Sequence, residues 1–220
     1  MLYITGDTHG EISRLYEFNK ILNPGDYIIV TGDFGYIFKD DSNEHVILDD
    51  IQTMKWNLCF IDGNHENFDA LNKYPEIVWN GGRVHKIRNN IFHLMRGQVF
   101  EICGKKIYAF GGGYSIDKHL RKEGLSWWSQ EMPTDIEMSE GNKNLAKEDF
   151  KVDYIISHAV PLEILESLGI THGTKEYPLN NYLQYLVENI KYDKFYCGHM
   201  HMDKDFSHNI SVLWFDIKKL

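Results

Sequence analysis

An α/β fold with parallel strands is predicted by three features of the chain. The first sixty residues alternate short β-rich runs with amphipathic stretches in the order β-α-β-α-β. That order implies parallel strands joined by right-handed crossovers. Each of the first three apolar runs then ends at a glycine-flanked Asp, Asn or His. Two later apolar runs, at 154–157 and 195–197, end at His158 and at Gly198-His199, with helical periodicity between them.

Taken in order, residues 2–5 form a short apolar strand that stops at Gly6-Asp7. Residues 13–21 place Leu15, Phe18 and Ile21 close to helical spacing, followed by Leu22 and an Asn23-Pro24-Gly25-Asp26 turn. Residues 27–31 are the second strand, ending at Gly32-Asp33, and 44–54 the second helix. The third strand, 58–61, ends at Asp62-Gly63-Asn64-His65. Four short runs at 83–87, 91–95, 98–102 and 105–110 then read as antiparallel hairpins. Gly111-Gly112-Gly113 opens an irregular aromatic segment with one helix near 134–147. After the strand at 154–157 come helices at 161–168 and 179–190, the strand at 195–197, and a closing hairpin over 206–215 that turns at His208-Asn209. No repeat or linker is visible, so the expectation is one domain, 1–220, with an inserted cap-like segment at about 114–144.

Composition excludes several classes. Of 220 residues, 43% are hydrophobic and 25% charged, with 23 Lys and Arg against 32 Asp and Glu for a net charge of −9. This balance disfavours long nucleic acid as a partner. No stretch approaches the roughly 20 apolar residues of a membrane span, and MLYITGDTHG lacks the features of a signal peptide. Cys59, Cys103 and Cys197 are odd in number and never spaced CxxC, which fits a reducing compartment. The expectation is a cytoplasmic protein without a membrane partner. The oligomeric state is not legible.

The eleven histidines acquire a reason at the strand ends. One Gly-Asp after a strand is ordinarily a turn, and one His there a hydrogen-bonded structural residue. Here five strands end in Asp7, His9, Asp33, Asn64, His65, His158, His199 and His201. Residues i and i+2 of an extended segment point the same way, so Asp7 with His9, and His199 with His201, can each converge. Mn, Fe and Zn accept imidazole, carboxylate and amide oxygen without thiolate. Eight groups exceed the needs of one ion. Two ions sharing a carboxylate, with one group left for acid–base work, use them all. Two-metal sites stabilise both oxygens of an in-line displacement at phosphorus.

GDTHG (6–10), GDFG (32–35), GNHE (63–66), Ser157-His158 and GHMH (198–201) resemble, in order, the motifs of the calcineurin-like metallophosphoesterases. The resemblance implies a four-layer α/β/β/α sandwich of two mixed sheets. It implies two divalent metal ions (Mn, Fe, Zn or Ni, with Mn favoured). Asp7, His9 and His201 would hold the first and Asn64, His158 and His199 the second, with Asp33 bridging. A metal-bridging hydroxide would attack a phosphomonoester or phosphodiester, and His65 would protonate the leaving group as general acid. The substrate would be a phosphorylated small molecule, a nucleotide or a phosphoprotein. Two competing readings are a catalytically idle scaffold for protein–protein interaction, which predicts lost ligands, and a nucleotide phosphodiesterase on the same fold.

One departure matters. The protein-phosphatase branch extends its second motif to GDxxDRG, and here Tyr36 and Ile37 stand where the later Asp and the Arg would be. His65 thus lacks its expected carboxylate partner and the site a phosphate grip. Arg96, Lys118 and Arg121 are the candidate substitutes, each weighed against a plain surface role, with His119 of the inserted segment as a further candidate. Glu66 either orients a ligand or starts a helix. Trp127-Trp128 either packs the inserted segment or stacks over the site, and core packing is the favoured reading. Cys197 reads as a buried small hydrophobe. His45, His85, His93, His172 and His208 fit no motif.

Overall fold

Period-two alternation along the strands decides the layering. The computed structural model describes residues 1–170 and 175–220. Its first sheet contains β1 (Leu2–Thr5), β2 (Tyr27–Val30), β3 (Asn57–Phe60), β4 (Glu76–Trp79), β5 (Gly82–Arg88) and β6 (Ile91–Leu94). The second contains β7 (Gln98–Ile102), β8 (Lys105–Phe110), β9 (Tyr154–Ser157), β10 (Lys194–Cys197), β11 (Lys204–Asp205) and β12 (Ile210–Val212). A last strand, β13 (Ile217–Lys219), returns to the edge of the first sheet.

The spatial orders are β13-β1-β2-β3-β6-β5-β4 and β11-β12-β10-β9-β8-β7. In the first sheet β1, β2, β3 and β6 are parallel. In the second β12, β10, β9 and β8 are parallel. Antiparallel strands flank both sets, so both sheets are mixed.

Along β1, Leu2 and Ile4 face the other sheet while Tyr3 faces the helices. In β2, Ile29 faces inward and Ile28 and Val30 outward. The second sheet alternates likewise, with Ile107 and Ala109 inward against Tyr108 and Phe110 outward. Three apolar layers result. One lies between α1 (Ile12–Ile21), α2 (Ser42–Thr53) and the first sheet, one between the sheets, and one between the second sheet and α4 (Asp135–Lys147), α5 (Leu162–Ser167) and α6 (Tyr177–Asn189). The architecture is therefore the four-layer α/β/β/α sandwich. Cys59 and Cys197 are buried among these apolar layers, and burial pushes both thiols up.

Helix ends follow local chemistry. Asp41 caps α2 by accepting from Asn43 N and Glu44 N at 3.0 Å each. Thr134 and Glu137 close a capping box on α4.

The antiparallel hairpins expected over 83–110 are present, β5 with β6 and β7 with β8. They belong to different sheets, and β6 also runs parallel to β3. The chain crosses between the sheets at 95–97, because Phe92 and Leu94 before the crossing and Phe100 after it bury into the same inter-sheet layer. The expected hairpin over 206–215 is also displaced. The turn at His208-Asn209 is present, both residues at positive φ, but it joins β11 to β12. The strand β4 and the short helix α3 (Phe68–Leu71) had no counterpart in the sequence reading. Asn80-Gly81, both at positive φ, makes the tight turn between β4 and β5 and is a strong hairpin signal. The segment expected as cap-like at about 114–144 divides. Its helical part, α4, packs on the second sheet through Met138 and Leu145, whereas the stretch before it reaches the strand-end residues through Ser115 on Asn64 and Arg121 on His65. Among the described residues no helix is long and apolar enough to cross a membrane.

Candidate metal centre

The parallel strands of both sheets end at one rim, and the loops leaving β1, β2, β3, β9 and β10 carry all eight strand-end residues. Asp7, His9, Asp33 and His201 have ligand atoms within 4.8 Å of one another. His9 Nε2 lies 3.0 Å from His201 Nε2 and 3.9 Å from Asp33 Oδ2, and His201 Nε2 lies 3.3 Å from Asp7 Oδ2. A second group meets the other face of Asp33. His158 Nε2 is 3.5 Å from Asp33 Oδ1 and 3.0 Å from Asn64 Oδ1. The His199 ring packs on His158 with centroids 4.8 Å apart, and its backbone N–H donates to Asp7. Asp33 thus turns one carboxylate oxygen to each group.

Backbone geometry shows that these positions are imposed. His9, Asp33, His199 and His201 all adopt positive φ, between 46° and 66°. Such conformations cost energy in non-glycine residues and gather at functional sites. A Cβ on Gly63 would overlap the Asp33 carboxylate, and one on Gly113 would sit 3.0 Å from the His158 ring and 3.2 Å from Asn64 Oδ1. These glycines let the loops close on the donor atoms.

The family model for calcineurin-like phosphoesterases matches residues 2–203. The chain belongs to that family. Its members are metal-dependent phosphoester hydrolases. No curated protein matches the chain. The donor chemistry fits the family's divalent ions. Two buried carboxylates, four imidazoles and one amide oxygen converge without a thiolate.

Hydrogen bonds fix which ring nitrogen each histidine offers. His158 is fully buried and its Nδ1 donates to the Thr31 carbonyl at 2.8 Å, leaving Nε2 toward Asn64 and Asp33. His199 uses Nε2 instead, on Glu176 Oε1 at 3.2 Å, so Nδ1 is the nitrogen it could offer an ion on losing its proton. Glu176 is buried and also accepts from Tyr114 N at 2.7 Å and Asn180 Nδ2 at 3.1 Å. Burial alone would raise its pKa, but His199 outweighs this and holds it at about 2. Burial likewise opposes charge on His199, and Glu176 overcomes it, lifting the ring to about 9. Sequence reasoning missed Glu176, which stands in no motif.

Asp33 is governed by its neighbours. Burial would raise its carboxyl, and the rings of His158, His65 and His9 together hold it low. Glu66 goes the opposite way, since burial and the nearby Asp33 charge push it well up. Its Oε1 accepts the Phe34 N–H at 2.8 Å and braces the loop beside Asp33. It does not start a helix, because α3 begins at Phe68 behind an Asn67 cap.

His65 lies beside the centre. Its backbone N–H donates to Asp33 Oδ1 at 2.8 Å, and its ring meets His9 edge-on at 5.6 Å. Burial lowers its pKa, and nearby Arg121 adds to the effect against the pull of Asp33. Tyr36 and Ile37 are buried in the outer core of the first sheet, where the Tyr36 hydroxyl donates to the Glu11 carbonyl at 2.6 Å. The side chain that reaches His65 comes from the inserted segment instead. Arg121 Nη1 is 3.0 Å from His65 Nδ1, and Asp117 Oδ2 grips Arg121 through Nε at 2.9 Å and Nη2 at 2.8 Å.

The remaining candidates are placed elsewhere. Arg96 is buried on Asp62 Oδ2, at 2.9 Å from Nε and 2.6 Å from Nη2, and also donates to the carbonyls of Gln130 and Glu131. It ties the inserted segment to the end of β3. Lys118 pairs with buried Glu131 at 2.7 Å, between the rings of Tyr114 and Trp127. His119 is exposed. Trp128 is buried and donates to Asp69 at 2.8 Å, packing the segment down. His45 and His208 lie beside Asp40 and Glu163 on the surface. His85 and His93 stack in a buried pair, and His172 lies outside the described residues.

Proposed function

We propose that this chain hydrolyses phosphate esters with two divalent ions, held by Asp7, His9 and His201 on one side and Asn64, His158 and His199 on the other. Asp33 is the shared ligand. The observation that carries the reading is its split carboxylate, Oδ2 at 3.9 Å from His9 and Oδ1 at 3.5 Å from His158. Nitrogen and oxygen donors without thiolate suit Mn, Fe, Zn or Ni, and manganese is the ion to try first. Bound there, the ions would neutralise phosphate charge and supply a nucleophilic water at neutral pH.

The chain's own residues do the rest. Burial and Arg121 disfavour the charged form of His65 on the free protein, and an approaching phosphate charge favours its protonated form. Protonated, it gives its proton to the departing ester oxygen. Its backbone N–H bond to Asp33 fixes the ring against the ligand cluster. Arg121, pinned by Asp117, orients the ring while it is neutral, donating from Nη1 to Nδ1. The filled ligand set argues against an idle scaffold.

The test uses protein stripped by chelator and reloaded with Mn²⁺, assayed on p-nitrophenyl phosphate and bis(p-nitrophenyl) phosphate. Hydrolysis that vanishes on stripping and returns on reloading is expected. No hydrolysis of either ester by protein carrying two ions per chain overturns the proposal.

A further inference from the structure

Among the described residues, two clefts open from the proposed metal centre. The outer cleft, about 380 Å³, is lined by His9, Gly35, Tyr36 and Phe38 and runs to the first turn of α2. The inner cleft, about 430 Å³, is lined in part by Asp33, Asn64, His199 and His201. His65 lines both. With His9 edge-on against it, it forms the divide at which the two spaces meet. A phosphorus atom held at the ligand cluster therefore has room for a substituent in each direction. A monoester has only one substituent to place.

Charge leads to the same substrate. A monoester dianion carries an extra unesterified oxygen, and proteins meet such groups with unpaired guanidinium or ammonium groups. Among the described residues, the only lysine or arginine lining either cleft is Lys39, an exposed side chain of the outer cleft that also contains Asp41 and Glu44. The nearest arginine, Arg121, already has its charge matched by Asp117. Lys118 and Arg96 are spent on Glu131 and Asp62. Beyond the strand-end residues the lining of the inner cleft is mostly apolar, with Tyr114, Ile116, Leu165, Ile170 and Met200 outnumbering Ser115, Asp117 and Glu176.

Resting on the hydrolytic reading above, we propose that the substrate is a phosphodiester, one substituent in each cleft, with an apolar or aromatic group in the inner one. The single negative charge of a diester needs no further cation once the ions are bound. Its second ester arm occupies a space that a monoester would leave to water.

The test separates this inference from the reading beneath it. Affinities of Mn²⁺-loaded protein for phenyl, methyl phenyl and diphenyl phosphate are measured by calorimetry. In parallel, kcat/KM is measured for p-nitrophenyl, methyl p-nitrophenyl and bis(p-nitrophenyl) phosphate, which share one leaving group. Diphenyl phosphate is expected to bind at least tenfold more tightly than phenyl phosphate, with methyl phenyl phosphate between them and kcat/KM in the same order. Hydrolysis with the monoester bound as tightly as the diester, or more tightly, overturns the diester assignment and leaves the phosphoesterase standing. Failure to hydrolyse any of them with both ions bound overturns the phosphoesterase and the diester assignment together.

Discussion

Replacing Glu176 by Gln keeps the size of the side chain and removes its charge. The native carboxylate accepts from His199 Nε2 at 3.2 Å, Tyr114 N at 2.7 Å and Asn180 Nδ2 at 3.1 Å. The amide oxygen of Gln can still accept from Tyr114 and His199, so the loop it braces should persist, although its NH2 group no longer accepts from Asn180. What is lost is the charge-assisted bond that orients His199 and makes it a better donor. A hydrogen bond to a charged group contributes about 1.5–3 kcal/mol and a neutral one about 0.5–1.5. The difference, about 1–1.5 kcal/mol, corresponds to roughly a tenfold loss of affinity. Only the ion held by Asn64, His158 and His199 should feel it, because His9 and His201 do not touch Glu176. Calorimetric titration of stripped protein with Mn²⁺, repeated across pH so that affinity is compared for the neutral His199 ring rather than the one protonated up to about 9, should therefore show one binding event weakened about tenfold and the other unchanged. Superimposable isotherms for Glu176→Gln and the native chain would refute the argument, as would equal weakening of both events.

Other substitutions probe the acid, the inserted segment and a buried histidine pair. His65→Ala should leave Mn²⁺ content unchanged and slow turnover of alkyl esters by about a hundredfold or more, with little effect on p-nitrophenyl esters; equal slowing of both would remove its role as acid. Arg96→Met leaves Asp62 buried without its guanidinium and should cost about 3–5 kcal/mol in urea denaturation, a loss that adding Asp62→Asn should partly restore. His85 is buried, and burial with its neighbour His93 depresses its pKa to about 4. Because the unfolded chain binds the proton first, its contribution is fully present above pH about 6.5 and is lost as pH falls toward 4, to a limit of about 3 kcal/mol. His85→Phe should flatten that part of the stability–pH profile, and an unchanged slope would show that another group is responsible.

The strand-end residues were legible because parallel strands deliver their chemistry at one end. Asp7 with His9 and His199 with His201 announced themselves by spacing, and the strand alternation of Leu2, Tyr3 and Ile4 by period. The structure gathers all eight residues. Glu176 was not legible. It acts through contact with His199, 23 residues later in the chain, and a lone glutamate before a helix carries no local signal. Arg96 read as a candidate phosphate grip weighed against a plain surface role, whereas a buried carboxylate just before the third motif, Asp62, draws it inside. Arg121 reaches His65 only because the inserted segment is packed down by Trp128 on Asp69 and by Lys118 on Glu131. None of these pairings leaves a trace in spacing. The strand β4 was different, since Asn80-Gly81 marked its hairpin in plain view. The division of the hairpins between two sheets had no local mark, because Leu94 and Phe100 on either side of the crossing face the same apolar layer.

The central claim is that Asp33 stands between two metal ions. Anomalous diffraction at the manganese edge, from crystals grown with Mn²⁺, addresses it directly. Two peaks are predicted about 3.5–4 Å apart, one within reach of His9 and His201, the other of Asn64 and His158, with an Asp33 oxygen on each. A single peak on the His9 side, with Asn64, His158 and His199 holding nothing, would contradict the account.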